Sequence, residues 1–167
     1  MLFKNKQINS AFMILVVSIS IVSCGYTMRG SINLPPTVKE VSVFSENYST
    51  LVNAINESLL NLGINTTASN NKKLYRIIIT EENFNRRQLT MSITGRVNEY
   101  ELIYNTVYQI NLPNDEVLYD SITLYRDYSF DENNVMGNSD RENQIKDEMI
   151  STAATLIFNK LAATVRQ

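Results

Sequence analysis

The sequence predicts an α+β fold, a two-layer sandwich in which two helices cover one face of a mostly antiparallel, four-stranded sheet. Two segments have apolar residues at the three- and four-residue spacings of a helix, and four others have the alternation or β-branched composition of strands. Their order is strand, helix, three strands, helix, with no internal repeat. Strands grouped in this way favour helices packed on one face of an antiparallel sheet.

The first strand and the first helix are predicted over residues 38–44 and 45–63. Ser45 or Asn47 is suited to cap the start of the helix, and Gly63 to the left-handed position just after its end. We expect the apolar stripe of this helix to face the sheet. Its members are Tyr48, Leu51, Val52, Ile55, Leu59 and Leu62.

Three further strands are predicted over residues 74–84, 91–112 and 117–130. In the second of these, the apolar residues move from odd to even positions between Val97 and Tyr100. Because side chains alternate along a strand, this change predicts a β-bulge within residues 95–99. Pro, Asn and Asp in residues 113–116 predict a turn between the last two strands.

The last helix is predicted over residues 141–164, with Asp140 as its N-cap and residues 131–140 as a loop. Its apolar stripe consists of Ile145, Met149, Ala153, Leu156, Ile157 and Leu161. The loop has the length of an EF-hand, but Val135 and Gly137 do not fit the ligand and turn positions of that motif. We therefore predict no metal site there.

The N-terminus has the pattern of a secreted lipoprotein. Lys4 and Lys6 precede an apolar run over residues 11–22, which is too short to span a membrane. Ile21-Val22-Ser23 then leads to Cys24, as in the lipobox of bacterial lipoproteins. We predict a cleaved signal peptide over residues 1–23, a lipidated extended leader over 24–37 with Cys24 as the acylated residue, and one domain over 38–167.

Composition argues against several classes of function. The chain has no histidine and a single cysteine, which excludes Ser-His-Asp triads, Cys-His pairs and histidine-based zinc sites. It also has no glycine-rich phosphate loop. The net charge is −2, and the predicted mature chain is more acidic because Lys4 and Lys6 are lost. These observations predict a protein that is not an enzyme, needs no cofactor and does not bind nucleic acid.

Basic residues are concentrated in one part of the predicted sheet. They are Lys72, Lys73, Arg76, Arg86, Arg87 and Arg96. We expect Arg86 and Arg87 at a hairpin and Arg96 at the bulge. The arginine guanidinium is suited to bidentate contact with phosphate or carboxylate, although ordinary surface charges would give the same pattern.

Three stretches resemble the LptE family of outer-membrane lipopolysaccharide-assembly lipoproteins. The first runs from Cys24 through Gly25-Tyr26-Thr27-Met28-Arg29-Gly30 to Leu34-Pro35, and the second is the TGRVNEYEL run at residues 94–102. The third is the last helix, from Arg141-Glu142 to Leu161. Together they cover nearly all of residues 24–167 in the order that the family shows.

The resemblance implies a role without catalysis. Members of the family lie inside the LptD β-barrel, partly as a plug, and help it assemble, and the complex inserts lipopolysaccharide into the outer leaflet. Direct lipopolysaccharide binding is also implied, for which Arg96, then Arg86 and Arg87, are the candidate residues. Gly25 after Cys24, in place of the aspartate of inner-membrane retention, predicts a lipid anchor in the outer membrane.

Two alternatives remain open at this point. One is an adaptor lipoprotein of another envelope assembly machine, and the other is a periplasmic lipid-binding lipoprotein. A lipid carrier should have an enclosed apolar pocket. The apolar stripes here are expected to be used in packing the helices on the sheet.

Overall fold

The computed structural model of the chain describes residues 34–35 and 38–165. The predicted signal peptide, the lipidation site Cys24 and all of the leader except Leu34 and Pro35 lie outside the described residues. Leu34 packs against the hydrophobic core, and the carbonyl of Pro35 accepts a hydrogen bond of 2.9 Å from the Val38 amide. These two contacts place the end of the leader against the folded part of the chain.

Five strands and two helices are present in the described residues. They are β1 (Glu40–Ser45), α1 (Thr50–Asn61), β2 (Asn65–Thr67), β3 (Tyr75–Met91), β4 (Val97–Asn111), β5 (Val117–Ser129) and α2 (Val135–Val165). The predicted α+β class with two helices is confirmed.

The sheet differs from the prediction in strand number and direction. It has five strands in the order β2-β1-β3-β4-β5, and β1 pairs in parallel with both β2 and β3. The β3–β4 and β4–β5 pairs are antiparallel. The prediction of four mostly antiparallel strands was therefore wrong, because the three-residue strand β2 lies in a polar stretch and has no alternating pattern. It is joined to β1 through α1, and such a crossover makes adjacent strands parallel.

The strand predicted over residues 91–112 is divided by a turn. β3 continues to Met91, and β4 begins only at Val97. The turn between them is closed by the Ser92 amide donating to the Arg96 carbonyl, at 2.7 Å, and Gly95 has a φ of +79°. Val97 and Tyr100, between which the apolar parity shifts, both lie in β4. A register irregularity does occur at Asn98, inside the stretch where the bulge was predicted.

The helix α1 begins later than predicted. Its N-cap is Ser49, whose Oγ accepts a 3.1 Å hydrogen bond from the Val52 amide, so neither Ser45 nor Asn47 has that role. Tyr48 consequently lies before the helix and is 85% exposed. Gly63 follows the C-cap with a φ of +74°, as predicted.

The helix α2 begins earlier than predicted, so residues 135–140 are helical and Asp140 is not its N-cap. Asn134 immediately precedes the helix, and its Oδ1 accepts a 3.0 Å hydrogen bond from the Gly137 amide. This is N-cap geometry, in which a side chain satisfies an amide of the first turn. The first turns of α2 carry no apolar stripe because they cover little of the core, and periodicity therefore did not reveal them.

The core lies between the two helices and one face of the sheet. Ile77 and Ile79 of β3 are fully buried there, together with Tyr104 and Ile110 of β4. The helices contribute Leu51, Ile55, Leu59, Met149, Ala153, Ile157 and Leu161. No helix of residues 38–165 covers the opposite face of the sheet. Among the described residues, neither helix has a stretch apolar enough to cross a lipid bilayer.

Candidate functional site

The three arginines predicted to bind lipopolysaccharide are not gathered at one point. Arg86 and Arg87 lie inside β3 rather than at a turn, and Arg96 ends the turn between β3 and β4. Because adjacent residues of a strand point to opposite faces, Arg86 and Arg87 lie on different sides of the sheet. Arg86 faces α2, where it meets Glu142.

Arg86 is the centre of a polar cluster between the sheet and α2, which we call the Arg86 cluster. Its other members are Tyr100, Tyr128, Glu142 and Lys146. Arg86 Nη1 and Lys146 Nζ each lie 2.7 Å from a Glu142 oxygen, and the Tyr128 hydroxyl donates to Glu142 at 2.6 Å. The Arg86 guanidinium also lies over the Tyr100 ring, 4.6 Å from its centroid.

The electrostatics of the Arg86 cluster favour its charged state. Burial raises the pKa of Glu142, but the hydrogen bonds from Lys146, Tyr128 and Arg86 outweigh it and lower this pKa to about 2. The hydrogen bonds from Arg86 to Tyr128 and Glu142 raise the pKa of Arg86. Desolvation and the hydrogen bond to Glu142 raise the pKa of Tyr128. The guanidinium is therefore neutralised by a carboxylate that stays ionised, and its most direct role is to fasten β3 to α2.

Arg87 and Arg96 are more open to solvent. Arg87 Nε lies 2.5 Å from Glu101 on the neighbouring strand, and Arg96 Nη1 lies 3.2 Å from Glu132 in the loop before α2. The Arg96 side chain is 70% exposed and that of Glu132 is 44% exposed. Since an exposed ion pair contributes little free energy, a multivalent anion can displace the carboxylate from Arg96 at low cost.

Apolar side chains accompany these arginines at the end of the β3–β4 hairpin. Leu89, Met91 and Ile93 are 43%, 55% and 105% exposed, and residues 89–97 extend past the part of the sheet that the core covers. We call residues 89–97 the hairpin end. Its chemistry combines exposed aliphatic side chains with the Arg96 guanidinium, which suits an amphipathic anion better than a small polar solute.

The sequence analysis did not identify the residues that bind the Arg86 guanidinium in the folded chain. Glu142 was predicted only as part of the last helix, and Tyr128 only as part of the last strand. The spacing of Glu142 and Lys146 by four residues was a readable signal for an ion pair on one helix face. Their meeting with Arg86 depends on how α2 crosses the sheet, and no local pattern encodes that crossing.

Two groupings of acidic side chains were tested in the described residues, as a metal site and as an acid–base pair. In residues 34–35 and 38–165, no three acidic, cysteine or histidine side chains come together in a way that could hold a metal ion. Glu81 and Glu82 are adjacent in β3 and point to opposite faces, so they do not form a paired acid and base. Glu82 instead accepts hydrogen bonds from the Thr50 hydroxyl, at 2.7 Å, and the Leu51 amide, at 3.2 Å, at the start of α1.

Solved structures of bacterial lipoproteins have the same fold. The rare lipoprotein B of Shewanella oneidensis is 26% identical, with a TM-score of 0.68 over 75% of this chain and 95% of that one. A lipoprotein B of Nitrosomonas europaea is 21% identical, with a TM-score of 0.69 over 85% and 93%. A minor lipoprotein of Acinetobacter baumannii is 20% identical, with a TM-score of 0.61 over 79% and 95%.

Sequence comparison identifies the family. No curated protein matches the chain at a significant level. The profile of the family LptE, described as lipopolysaccharide-assembly, matches residues 36–161, which is most of the chain and all of its strands and α1. This match and the shared fold agree with the resemblance seen in the sequence. The chain therefore belongs to the LptE family of lipopolysaccharide-assembly lipoproteins.

Proposed function

We propose that this protein is an outer-membrane lipoprotein that occupies the lumen of an LptD-type β-barrel, helps that barrel assemble and takes part in inserting lipopolysaccharide into the outer leaflet. It acts without catalysis. Cys24 carries the lipid anchor on the periplasmic side of the outer membrane. Because a single acyl chain gives only marginal membrane binding, a stable tether requires more than one chain on this residue.

Membership of the LptE family is the observation that carries this proposal. The shape of the described part is compatible with it, since a helix-covered sheet with a projecting hairpin end provides a solid body rather than a hollow one. Two surface depressions of the described residues lie beside α1 and have polar as well as apolar residues in their walls. Neither is the enclosed apolar cavity that a periplasmic lipid carrier needs.

Lipopolysaccharide binding is proposed at the hairpin end. Arg96 would donate charge-assisted hydrogen bonds to a phosphate, while Leu89, Met91 and Ile93 contact acyl chains. Arg87 would contribute from the neighbouring part of β3. Arg86 would contribute least to direct contact, because its guanidinium is already held by Glu142, Tyr128 and Tyr100.

Purification from outer membranes tests the assembly role. A C-terminally tagged full chain should carry a large β-barrel partner in near-equal amount through detergent extraction. The Cys24→Ala variant should lose its outer-membrane fractionation. If the tagged chain were recovered in the outer membrane with a different envelope complex, the adaptor alternative would hold. Recovery with lipid alone would favour the carrier.

Charge reversal tests the binding residues separately. Arg96→Glu should lower the affinity of the purified chain for lipopolysaccharide about tenfold, Arg87→Glu less, and Lys39→Glu, at the start of β1, should leave it unchanged. Lys39 is the matched control because it is exposed and lies at the opposite end of the sheet. Equal losses from all three variants would mean that the hairpin end has no specific role.

A further inference from the structure

The segment between β2 and β3, residues 68–74, lies against the face of the sheet that carries no helix, and we call it the strap. Ser42 Oγ donates to the Ser69 carbonyl at 2.6 Å, and Arg76 Nη1 donates to Asn70 Oδ1. Ser42 and Arg76 alternate with core residues of β1 and β3, so both point to the helix-free face. Both are buried, Ser42 fully and Arg76 to 8% exposure.

The Arg76 guanidinium is buried without a compensating negative charge. Among the described residues, no carboxylate oxygen lies within 4.0 Å of it, and its Nε donates to no acceptor. A buried arginine is normally paired with an anion, because burial of an unpaired charge is costly. Asn70 occupies only Nη1, which leaves the Nε edge unfilled.

Asn111 lies directly opposite Arg76 on the neighbouring strand β4. It is also 8% exposed, and its side-chain Oδ1 has no hydrogen-bond donor. Two unpartnered polar atoms, from residues paired across two strands, are thus buried on one face beneath the strap. Native proteins rarely leave such atoms unsatisfied without a functional reason or a bound molecule.

We propose that Arg76 and Asn111 form a binding site for a carboxylate beneath the strap. A planar carboxylate binds side-on to the Nε and Nη2 edge of a guanidinium with two parallel hydrogen bonds. Rotation of the Asn111 amide by half a turn directs its NH₂ group to the same carboxylate. The ligand class is a small molecule with a free carboxylate group, and the site does not depend on the function proposed above.

The surroundings of the site favour an anion and allow it to enter. Lys72 and Lys73 lie on the exposed strap and give this end of the sheet a local positive charge. Lys72 Nζ lies 3.6 Å from a carboxylate oxygen of Asp115 in the β4–β5 turn, and both side chains are more than 70% exposed. Such a pair restrains the strap weakly. The site also lies far from the hairpin end, since Leu89 comes thirteen positions after Arg76 along β3, a distance of roughly 43 Å.

Acetate is the probe for the first experiment, with the full chain carrying Cys24→Ala in detergent. The side-chain Nε–H signal of Arg76 is followed by NMR while acetate replaces chloride at constant ionic strength. We expect a saturable shift of this signal and a rise of about 3 °C in the unfolding temperature. If the acetate-induced shift of this signal does not saturate, the carboxylate assignment is wrong. It is also wrong if phosphate shifts the signal and acetate does not.

Substitutions at Arg76 and Asn111 test the site in a second way, partly without acetate. Asn111→Asp places a carboxylate opposite Arg76, so it should raise the unfolding temperature at pH 7 and abolish the acetate response. Arg76→Lys should also abolish the response, while Arg126→Lys on β5 should retain it. If Asn111→Asp lowered the unfolding temperature, Arg76 would not be a carboxylate site, whether or not Arg76→Lys folds.

Discussion

The two halves of β3 are held in place by different forces. Residues 76–79, near its start, are all buried, and Ile77 and Ile79 are covered by the helices. Residues 85–91, near its end, are all exposed. The first half is stabilised by the hydrophobic effect, which is not directional. The second half is stabilised by hydrogen bonds and ion pairs with β4, β5 and the beginning of α2, which are directional.

The contrast explains why α2 extends so far beyond the core. Its first turns bury little apolar surface, but they carry Glu142 to Arg86, and the loop before them carries Glu132 to Arg96. In the same region, the Phe130 amide donates to the Asn98 carbonyl at 2.8 Å. The start of α2 and the loop before it therefore hold the β3–β4 hairpin in place through ion pairs and a hydrogen bond. We therefore expect substitutions in the core half of β3 to lower the free energy of unfolding mainly when they change side-chain volume. In the hairpin half, they should lower it mainly when they change a charge.

Truncation in the core half should have the largest effect. Ile77→Ala removes a fully buried side chain and leaves a cavity, so the free energy of unfolding should fall by about 3 kcal/mol in a urea titration at pH 7. Leu89→Ala, in the exposed half of the same strand, should cost less than about 0.5 kcal/mol. Similar losses at the two positions would contradict the distinction between the halves.

Removal of the Glu142 charge should have the next largest effect. Glu142→Gln keeps the size of the side chain but weakens its contacts with Arg86, Tyr128 and Lys146, and it should cost about 2 kcal/mol at pH 7. Its matched control is Glu46→Gln, an exposed carboxylate beyond β1.

The same variant should also change the dependence of stability on pH. The pKa of Glu142 is lowered from 4.5 to about 2, so its stabilisation is fully present above pH 4.5 and is lost as the pH falls toward 2. The difference in unfolding free energy between the native chain and Glu142→Gln should therefore shrink across this interval. A difference that stayed constant from pH 7 to pH 2.5 would show that folding does not lower the pKa of Glu142.

Much of the fold followed from local patterns, and the errors have physical causes. Periodicity located both helices and the strands β1, β3, β4 and β5, because these elements bury an apolar face. It failed for β2, which is three polar residues long, and for the first turns of α2, which cover no core. It also placed Met91 in the wrong strand, since a turn without proline or asparagine separates β3 from β4.

Less of the candidate site than of the fold could be predicted from the sequence. Arg86, Arg87 and Arg96 were recognised as candidates by residue type, but their faces and partners depend on strand register and on the path of α2. The buried state of Arg76 likewise follows from the strap and could not be inferred from its neighbours in sequence. Pairing across elements decides what a charged residue can bind, and a single sequence does not encode it locally.

A substitution in the turn at the hairpin end should have a smaller effect. Gly95 has a φ of +79°, and a Cβ added there would meet no atom within 4 Å. Gly95→Ala should therefore cost only the backbone strain, about 1 kcal/mol, as measured by urea unfolding. Gly137→Ala in α2 is a useful contrast, because its Cβ would clash with the Asn134 side chain and disturb the N-cap of the helix, so it should cost more than Gly95→Ala.

The smallest effect on stability is expected at Ile93, where the effect on binding should be clear. The side chain is fully exposed in the turn of the hairpin end, so Ile93→Ser should leave the unfolding midpoint unchanged. Its loss removes aliphatic surface proposed to contact acyl chains, and we expect several-fold weaker binding of lipopolysaccharide by the purified chain. Tyr119→Ser, at a 74% exposed position of β5, is the control for general loss of exposed apolar surface. If both variants bound lipopolysaccharide as the native chain does, the hairpin end would be exposed for contact with the barrel alone, and the arginines beside it would act in assembly rather than in lipid recognition.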